Sequence, residues 1–492
     1  MMKRAGLIFF GLCYALASLA QKPYHEQYRP QIHFSPPAHW MNDPNGLVYY
    51  KGVYHLFYQY YPNATVWGPM HWGHATSIDL NHWKNKPIAL YPDSIGLIFS
   101  GSVVVDYNNT SGFGKNGQPP LVAIFTQHNQ AREKAGRNDA QNQSIAYSND
   151  GGNTWTKYAH NPVLLNPGIT DFRDPKVMWY APQKKWIMTL ATKDRITFYS
   201  SKNLKQWTKE SEFGQDMGAH GGVWECPDLF PMTANDGRKM WVLIVNINPG
   251  GPQGGSATQY FTGNFNGKIF TANSKETRWV DCGADEYAGV TYSNTGNRRI
   301  FLGWMSNWQY ASLVPTKEWR SAMTIPRDLK LKKVGEDYDV ASEPVKELNS
   351  IKGPSLSIKR SKIVGDQYEL DISAEKLSSF FVTLSNDNNE KLIVGFDLSK
   401  NAWYIDRTNA GESGFSKDFV KYISAPRIIP SPNSDVTLIV DAASVELFAD
   451  HGLTTMTSIF FPKKPLNKVS LDSSDGFVAK NFSCTPLKSI WK

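Results

Sequence analysis

Apolar residues in this chain fall in short runs of strand length, and long apolar runs are few. From about Ser355 the runs alternate apolar with polar residues, as in Phe380-Phe381-Val382-Thr383-Leu384 and Ser444-Val445-Glu446-Leu447-Phe448. A period of two marks strands with one buried face, and repeated short strands between turn signals predict a β-sandwich. Upstream, a different pattern recurs: a β-like run ends in Ser, a polar turn follows, and a Trp comes next. The copies are His74-Ala75-Thr76-Ser77 with Trp83, Ile145-Ala146-Tyr147-Ser148 with Trp155, and Ile196-Thr197-Phe198-Tyr199-Ser200 with Trp207. Gln259–Gly267 is a weaker fourth copy that lacks the Trp. Repeats of roughly 40–50 residues built from short strands predict a β-propeller. Their uneven spacing implies inserted loops, which tend to carry function.

The character changes after Pro326-Arg327, and residues 336–353 are polar and broken by Pro344 and Gly353, as expected of a linker. The expected organisation is all-β, with a propeller over 21–335, a linker over 336–353 and a sandwich over 354–492. Residues 1–20 read as a secretory signal. Lys3 and Arg4 form the charged start, Ala5 to Ala17 the apolar middle, and Ser18-Leu19-Ala20 a small-residue cleavage site. The apolar part is short for a membrane span, and no later segment is long and apolar enough to be one. The mature protein is therefore expected to start near Gln21 and to be secreted or periplasmic.

Charge and cysteines narrow the picture further. The chain has 52 Lys and Arg against 44 Asp and Glu, a net charge of +8, but the basic residues are scattered. No basic stripe tracks a phosphate backbone, so nucleic acid is not an expected partner. Beyond Cys13, which lies in the signal, Cys226, Cys282 and Cys484 form neither a disulfide framework nor a zinc pattern. The 16 Trp, 23 Tyr and 25 Phe suit sugar-facing surfaces and aromatic cores equally well. Oligomeric state is not legible in the sequence.

Three acidic motifs stand out from the surface carboxylates: Trp40-Met41-Asn42-Asp43-Pro44-Asn45-Gly46, Phe172-Arg173-Asp174-Pro175 and Gly221-Gly222-Val223-Trp224-Glu225-Cys226-Pro227. Pro44 and the Asn45-Gly46 pair are strong turn formers, so Asp43 is expected at the end of a short strand held by a rigid turn. In a propeller, equivalent positions of different blades converge on the central channel, so acids far apart in sequence can meet there. Glycosidic cleavage needs such a set: one carboxylate to attack or stabilise the anomeric carbon, and a protonated carboxyl to give its proton to the leaving oxygen.

With these motifs, and with Tyr58-Gln59, Trp67–His74, Phe99-Ser100-Gly101-Ser102, Gly303–Trp308 and Trp319-Arg320-Ser321, the sequence resembles glycoside hydrolase family 32, the fructan hydrolases and invertases. The resemblance implies a five-bladed propeller followed by a β-sandwich. It implies that Asp43 is the nucleophile, Glu225 the general acid and then base, and Asp174 the stabiliser of the transition state. It adds Asn42, Gln59, Trp67, Ser102, Arg173 and Trp308 as the fructose pocket. Configuration would be retained, with the Asp43 and Glu225 carboxyls about 5–5.5 Å apart. Glu225 must be protonated while Asp43 is charged, and a neighbouring negative charge with an apolar wall such as Trp224 would serve that need. Trp72 and Trp83 are expected in the packing instead. His71 and His74 form a His-x-x-His, but with no third ligand in view zinc is not expected, and no cofactor is.

Among family members the stretches resemble exo-inulinases and related fructan β-fructosidases, which implies release of terminal fructose from inulin or levan, and from sucrose. A sucrose-preferring invertase is the next reading. A fructosyltransferase, a non-catalytic fructan-binding protein and an arabinan-type hydrolase lie further off. The sandwich could bind polysaccharide or only brace the propeller, and bracing is expected because no aromatic row stands out in its sequence.

Overall fold

A computed structural model of the chain describes residues 24–473, 477 and 479–491. The expected signal at 1–20 lies outside these residues. Five antiparallel sheets follow one another in the first part of the chain. Their inner strands are β1 (His39–Tyr50), β2 (Leu97–Val105), β3 (Phe172–Tyr180), β4 (Val223–Thr233) and β5 (Tyr287–Thr291). Each inner strand packs against the next, and β5 packs back on β1, so the five close into the ring of a β-propeller. Trp319–Arg320, from beyond the fifth sheet's first strands, pairs in parallel with His39 and Trp40 of β1, so late chain latches onto early chain.

Burial explains the strand patterns. Strands near the axis are covered on both faces and read as continuous apolar stretches, as in Leu121–His128, whose eight residues are all buried. Outer strands such as Lys84–Leu90 meet solvent along most of their length, and Lys84-Asn85-Lys86 are polar. The Ser–turn–Trp repeat is the hairpin between the third and fourth strands of a sheet. Ser148 Oγ caps the turn by accepting from Gly152 N, and Trp155 Nε1 donates back to Gly152 O. Ser201 and Trp207 do the same around Leu204. The copy without Trp, Gln259–Gly267, occupies the matching hairpin, where Asn266 Oδ1 accepts from Lys268 N and Ile269 N. Trp72 and Trp83 are buried in the packing, as expected.

The segment 336–353, expected as a linker, is structured. Asp337–Pro344 pairs along its whole length with Arg327–Val334 as the outer strand of the fifth sheet, and Lys346–Ile351 forms a 3-10 helix. Residues 338–342 are buried, polar Asp339 and Ser342 included, and Asp339 accepts from the Tyr260 hydroxyl at 3.1 Å, a partner distant in sequence, so the stretch looks like a connection by sequence. The remaining chain forms two six-stranded sheets packed face to face. Alternation is clean here: Phe380–Ser385 switches between buried and half-exposed at every residue.

Propeller and sandwich meet through buried charges. Arg327 donates to Asp281 Oδ2 at 2.9 Å and, through Nε, to Glu446 Oε2 at 3.0 Å. His33 bridges Asp441 at 2.7 Å and Glu446 at 2.8 Å. Burial pushes the His33 pKa down, but its hydrogen bonds to Asp441 and Glu446 outweigh that and raise it to about 9. Among the described residues no helix is long and apolar enough to cross a membrane.

Candidate active site

Every inner strand carries a bulge at a comparable level. Pairing registers slip between Met41 and Pro44 in β1, Ile98 and Gly101 in β2, Arg173 and Lys176 in β3, Glu225 and Asp228 in β4, and Tyr287 and Val290 in β5. A bulge inserts an unpaired residue and re-aims its side chain. Asp43, Ser100, Asp174, Glu225 and Tyr287 all sit at or within these slips. Asp174, Cys226 and Ala288 take left-handed φ values of 65°, 43° and 54°. Such backbone costs a non-glycine residue on the order of 1–3 kcal/mol and collects at functional sites.

The expected turn at Asp-Pro-Asn-Gly is corrected by this geometry. β1 continues to Tyr50, and Pro44 and Asn45 pair with Tyr58 and Phe57. Gly46 serves a second slip, between Asn45 and Val48, at φ 55°. A Cβ there would lie 2.6 Å from Phe57 Cδ2 and 2.9 Å from Val103 Cγ2. The glycine is needed for close approach within the sheet, not for a reversal.

Asp43 is held from both sides. Asn42 Nδ2 donates to Oδ1 at 2.9 Å and Ser100 Oγ to Oδ2 at 2.6 Å. Trp40 Nε1 donates to Asn42 Oδ1 at 2.7 Å, so the amide is fixed in turn. Burial raises the Asp43 pKa, and the charge of Glu225 raises it further, while Ser100 and Asn42 pull it down. Asp174 takes Cys226 N on Oδ2 at 3.1 Å, and its own N–H donates to Thr126 Oγ1 at 3.0 Å. Burial is the main cause that lifts Asp174 to about 7, opposed by Arg173 and assisted by Glu225 and Asp43.

Glu225 is gripped at both oxygens. Arg173 Nε donates to Oε1 at 2.9 Å, and the Tyr287 hydroxyl donates to Oε2. Arg173 also pairs with Asp171 and lies 4.0 Å from Asp174. One guanidinium is thus shared among three carboxylates, with Asp43 nearby. Cys226 ties the set together: its N–H reaches Asp174, and its Sγ lies 3.6 Å from Asp43 Oδ2. A surplus of negative charge around one small space suits a positively charged, oxocarbenium-like transition state. Opposite charges 4 Å apart attract by about 4 kcal/mol at an effective dielectric of 20.

Two tryptophans pack beside the neighbours of Asp43 and Ser100. Trp308 packs on Trp40 at 5.8 Å between ring centroids and on Trp304 at 5.0 Å. Trp67 stands exposed, edge-on to Phe99 at 6.2 Å. Gln59 is buried, and its Nε2 donates to Asn45 Oδ1 at 2.7 Å. Ser102 departs from expectation. It is buried, and its hydroxyl is spent donating to Pro175 O and accepting from Val177 N, both at 3.0 Å, so it splices β2 to β3. The bulge at Ile98–Gly101 hands the acid-facing position to Ser100 instead. Asp171, Ser100 and Tyr287 were not singled out by sequence reasoning. Ser100 lay inside a noted stretch, whereas Tyr287 had no signal, because its role depends on a bulge in another blade.

His74 is buried 3.1 Å from His55 Nδ1, and burial drives both imidazoles down, His55 to about 4. His71 Nδ1 lies 2.9 Å from Pro69 O. Among the described residues no group of three or more His, Cys, Asp or Glu could hold a metal ion.

A propeller whose bulged inner strands gather three acids around Arg173 and Cys226 has the parts that glycoside cleavage requires. The chain belongs to glycosyl hydrolase family 32: residues 33–344 match the N-terminal domain of that family and residues 338–488 match its C-terminal one. It is 48% identical to the levanase of Bacillus subtilis (strain 168), over 95% of this chain and 72% of that protein. It is 37% identical to the invertase of Schizosaccharomyces pombe, over 95% and 86% respectively. The crystal structure of exo-inulinase from Aspergillus awamori superposes with a TM-score of 0.88 at 38% identity, covering 95% of this chain and all of that one.

Proposed function

We propose that this chain is a retaining, exo-acting β-fructosidase that releases terminal fructose from levan- or inulin-type fructans and from sucrose. Asp43 attacks the anomeric carbon and forms a fructosyl-enzyme. Glu225 protonates the leaving oxygen and then draws a proton from the incoming water. Asp174, with Arg173, holds fructose hydroxyls and stabilises the developing charge. Asn42 and Gln59 read the sugar rim or fix the groups that do, and Trp67 and Trp308 face its carbon skeleton. The observation that carries this reading is the position of Cys226, which contacts Asp174 through its N–H and Asp43 through its sulfur while adjoining Glu225 in the chain. The names of the levanase, exo-inulinase and invertase relatives support the substrate class. An extracellular exo-inulinase among the relatives, with the leader-like residues 1–20, supports secretion, and the secreted protein is expected to begin near Gln21.

The test is free fructose released from levan, inulin and sucrose by the purified protein, beside Asp43→Asn and Glu225→Gln. Fructose alone from the polymers, with rates reduced by about 10³-fold or more in both variants, supports the reading. Oligosaccharide products would replace exo cleavage with endo action or transfer. Sucrose cleavage with little release from polymers would make the enzyme an invertase.

A further inference from the structure

The outer face of one sandwich sheet carries an aromatic row. Phe381, Gly395 and Tyr404 stand directly opposite one another on three neighbouring strands, and Ser424 continues the row on the edge strand Tyr422–Pro426. Tyr404 leans across the glycine: a Cβ on Gly395 would lie 2.8 Å from the Tyr404 hydroxyl and 2.9 Å from Phe381 Cβ. Tyr422, on the edge strand, packs near-parallel to Tyr404, with centroids 5.6 Å apart and 16° between planes, and is 46% exposed. Large aromatics gathered on a solvent face, with Ser424 opposite Tyr404 and Asp406 opposite Tyr422, form the kind of surface patch that marks a ligand site. An aromatic face packs on the C–H side of a sugar while flanking hydroxyls meet its rim, without calling for charge on the ligand.

The same edge strand is tied to the propeller. Gln253 Nε2 donates to Ser424 O at 2.8 Å and to Cys282 O at 3.0 Å. A few residues along that loop, Ser256 Oγ accepts from Trp308 N at 3.2 Å. One short loop thus ties the edge strand of this face to the segment that carries Trp308.

We propose that this face holds the distal part of a neutral fructan chain whose terminal residue sits over Asp43. The site rests on the function proposed above and adds to it a second contact, open to a polymer, by which polymer would be preferred over sucrose. The test compares Tyr422→Ala and Tyr404→Ala with the unmodified protein in two assays: retardation in native gels containing levan or inulin, and kinetics on polymer and on sucrose. Tyr422→Ala removes an exposed ring, so it keeps the test alive if the Tyr404 variant folds poorly. The expected result is weaker retardation and a KM for polymer raised by about 3- to 10-fold, as for the loss of one aromatic contact, with kcat and all sucrose constants unchanged. Unchanged retardation and unchanged polymer KM in both variants would overturn the proposal. So would a dimer of the unmodified protein that Tyr422→Ala dissociates, because the face would then belong to a second copy. If neither fructan nor sucrose is cleaved, the retardation assay still reads the face independently of the catalytic reading.

Discussion

At the scale of single residues, Glu225 poses the sharpest question of proton placement. Arg173 can only donate, so a protonated Glu225 must direct its proton elsewhere, and the Tyr287 hydroxyl is the one contacting group that can turn from donor to acceptor. Tyr287→Phe is expected to leave Glu225 with donors alone. With the hold on Oε2 lost, kcat should fall by about 10-fold on sucrose and less on an activated fructoside, which needs less help from the acid. Equal losses on both substrates would reduce Tyr287 to packing. Asp174 carries a cost of a different kind. Burial raises its pKa to about 7, above the unfolded value, so the folded state is increasingly penalised as pH rises from about 4 to 7. Asp174→Asn should lose most activity yet gain about 1–2 kcal/mol of stability at pH 7, a gain that disappears at pH 4. Denaturant unfolding at both pH values checks it.

Among elements, the bulges decide the site. Gly46→Ala would force a Cβ into Phe57 and Val103 at a left-handed φ, and should destabilise the protein by about 2 kcal/mol or more while lowering kcat through Asp43. Thermal unfolding and kcat, measured together, test whether the bulge acts on both. The same feature sets the limit of what the sequence revealed. The Ser–turn–Trp hairpins and the alternating C-terminal runs were readable because each is a local pattern with a physical cause. The acids were readable because each sits in a motif of unusual residues. The bulges were not, since a register slip depends on the neighbouring strand. That is why Asp-Pro-Asn-Gly looked like a turn, Ser102 stood in for Ser100, and Tyr287 drew no attention. The strand Asp337–Pro344 reads as a linker because a buried polar residue such as Asp339 finds its partner, Tyr260, in another strand.

For the molecule as a whole, the sandwich is bound to the propeller by buried ion pairs, and such pairs make the interface sensitive to pH. The His33 pKa is raised from 6.5 to about 9, so its contribution is fully present below about 6.5 and is lost as pH rises through 9. His33→Gln should lower stability by about 3 kcal/mol at pH 6, because it strands two buried carboxylates, and the difference from the unmodified protein should shrink above pH 9. A constant difference across that range would mean that His33 acts through shape alone. Such an interface fits the bracing role expected of the sandwich, and it holds the aromatic face in a fixed relation to the pocket.

The central claim is that Asp43 becomes covalently fructosylated. Its most direct test is mass spectrometry of peptides from Glu225→Gln, quenched in acid while turning over an activated fructoside, since the missing base should slow release of the intermediate. The account predicts one added fructosyl unit on the peptide that contains Asp43, and none in the Asp43→Asn double variant. A fructosyl unit on any other residue, or no adduct together with product of inverted configuration, would contradict it.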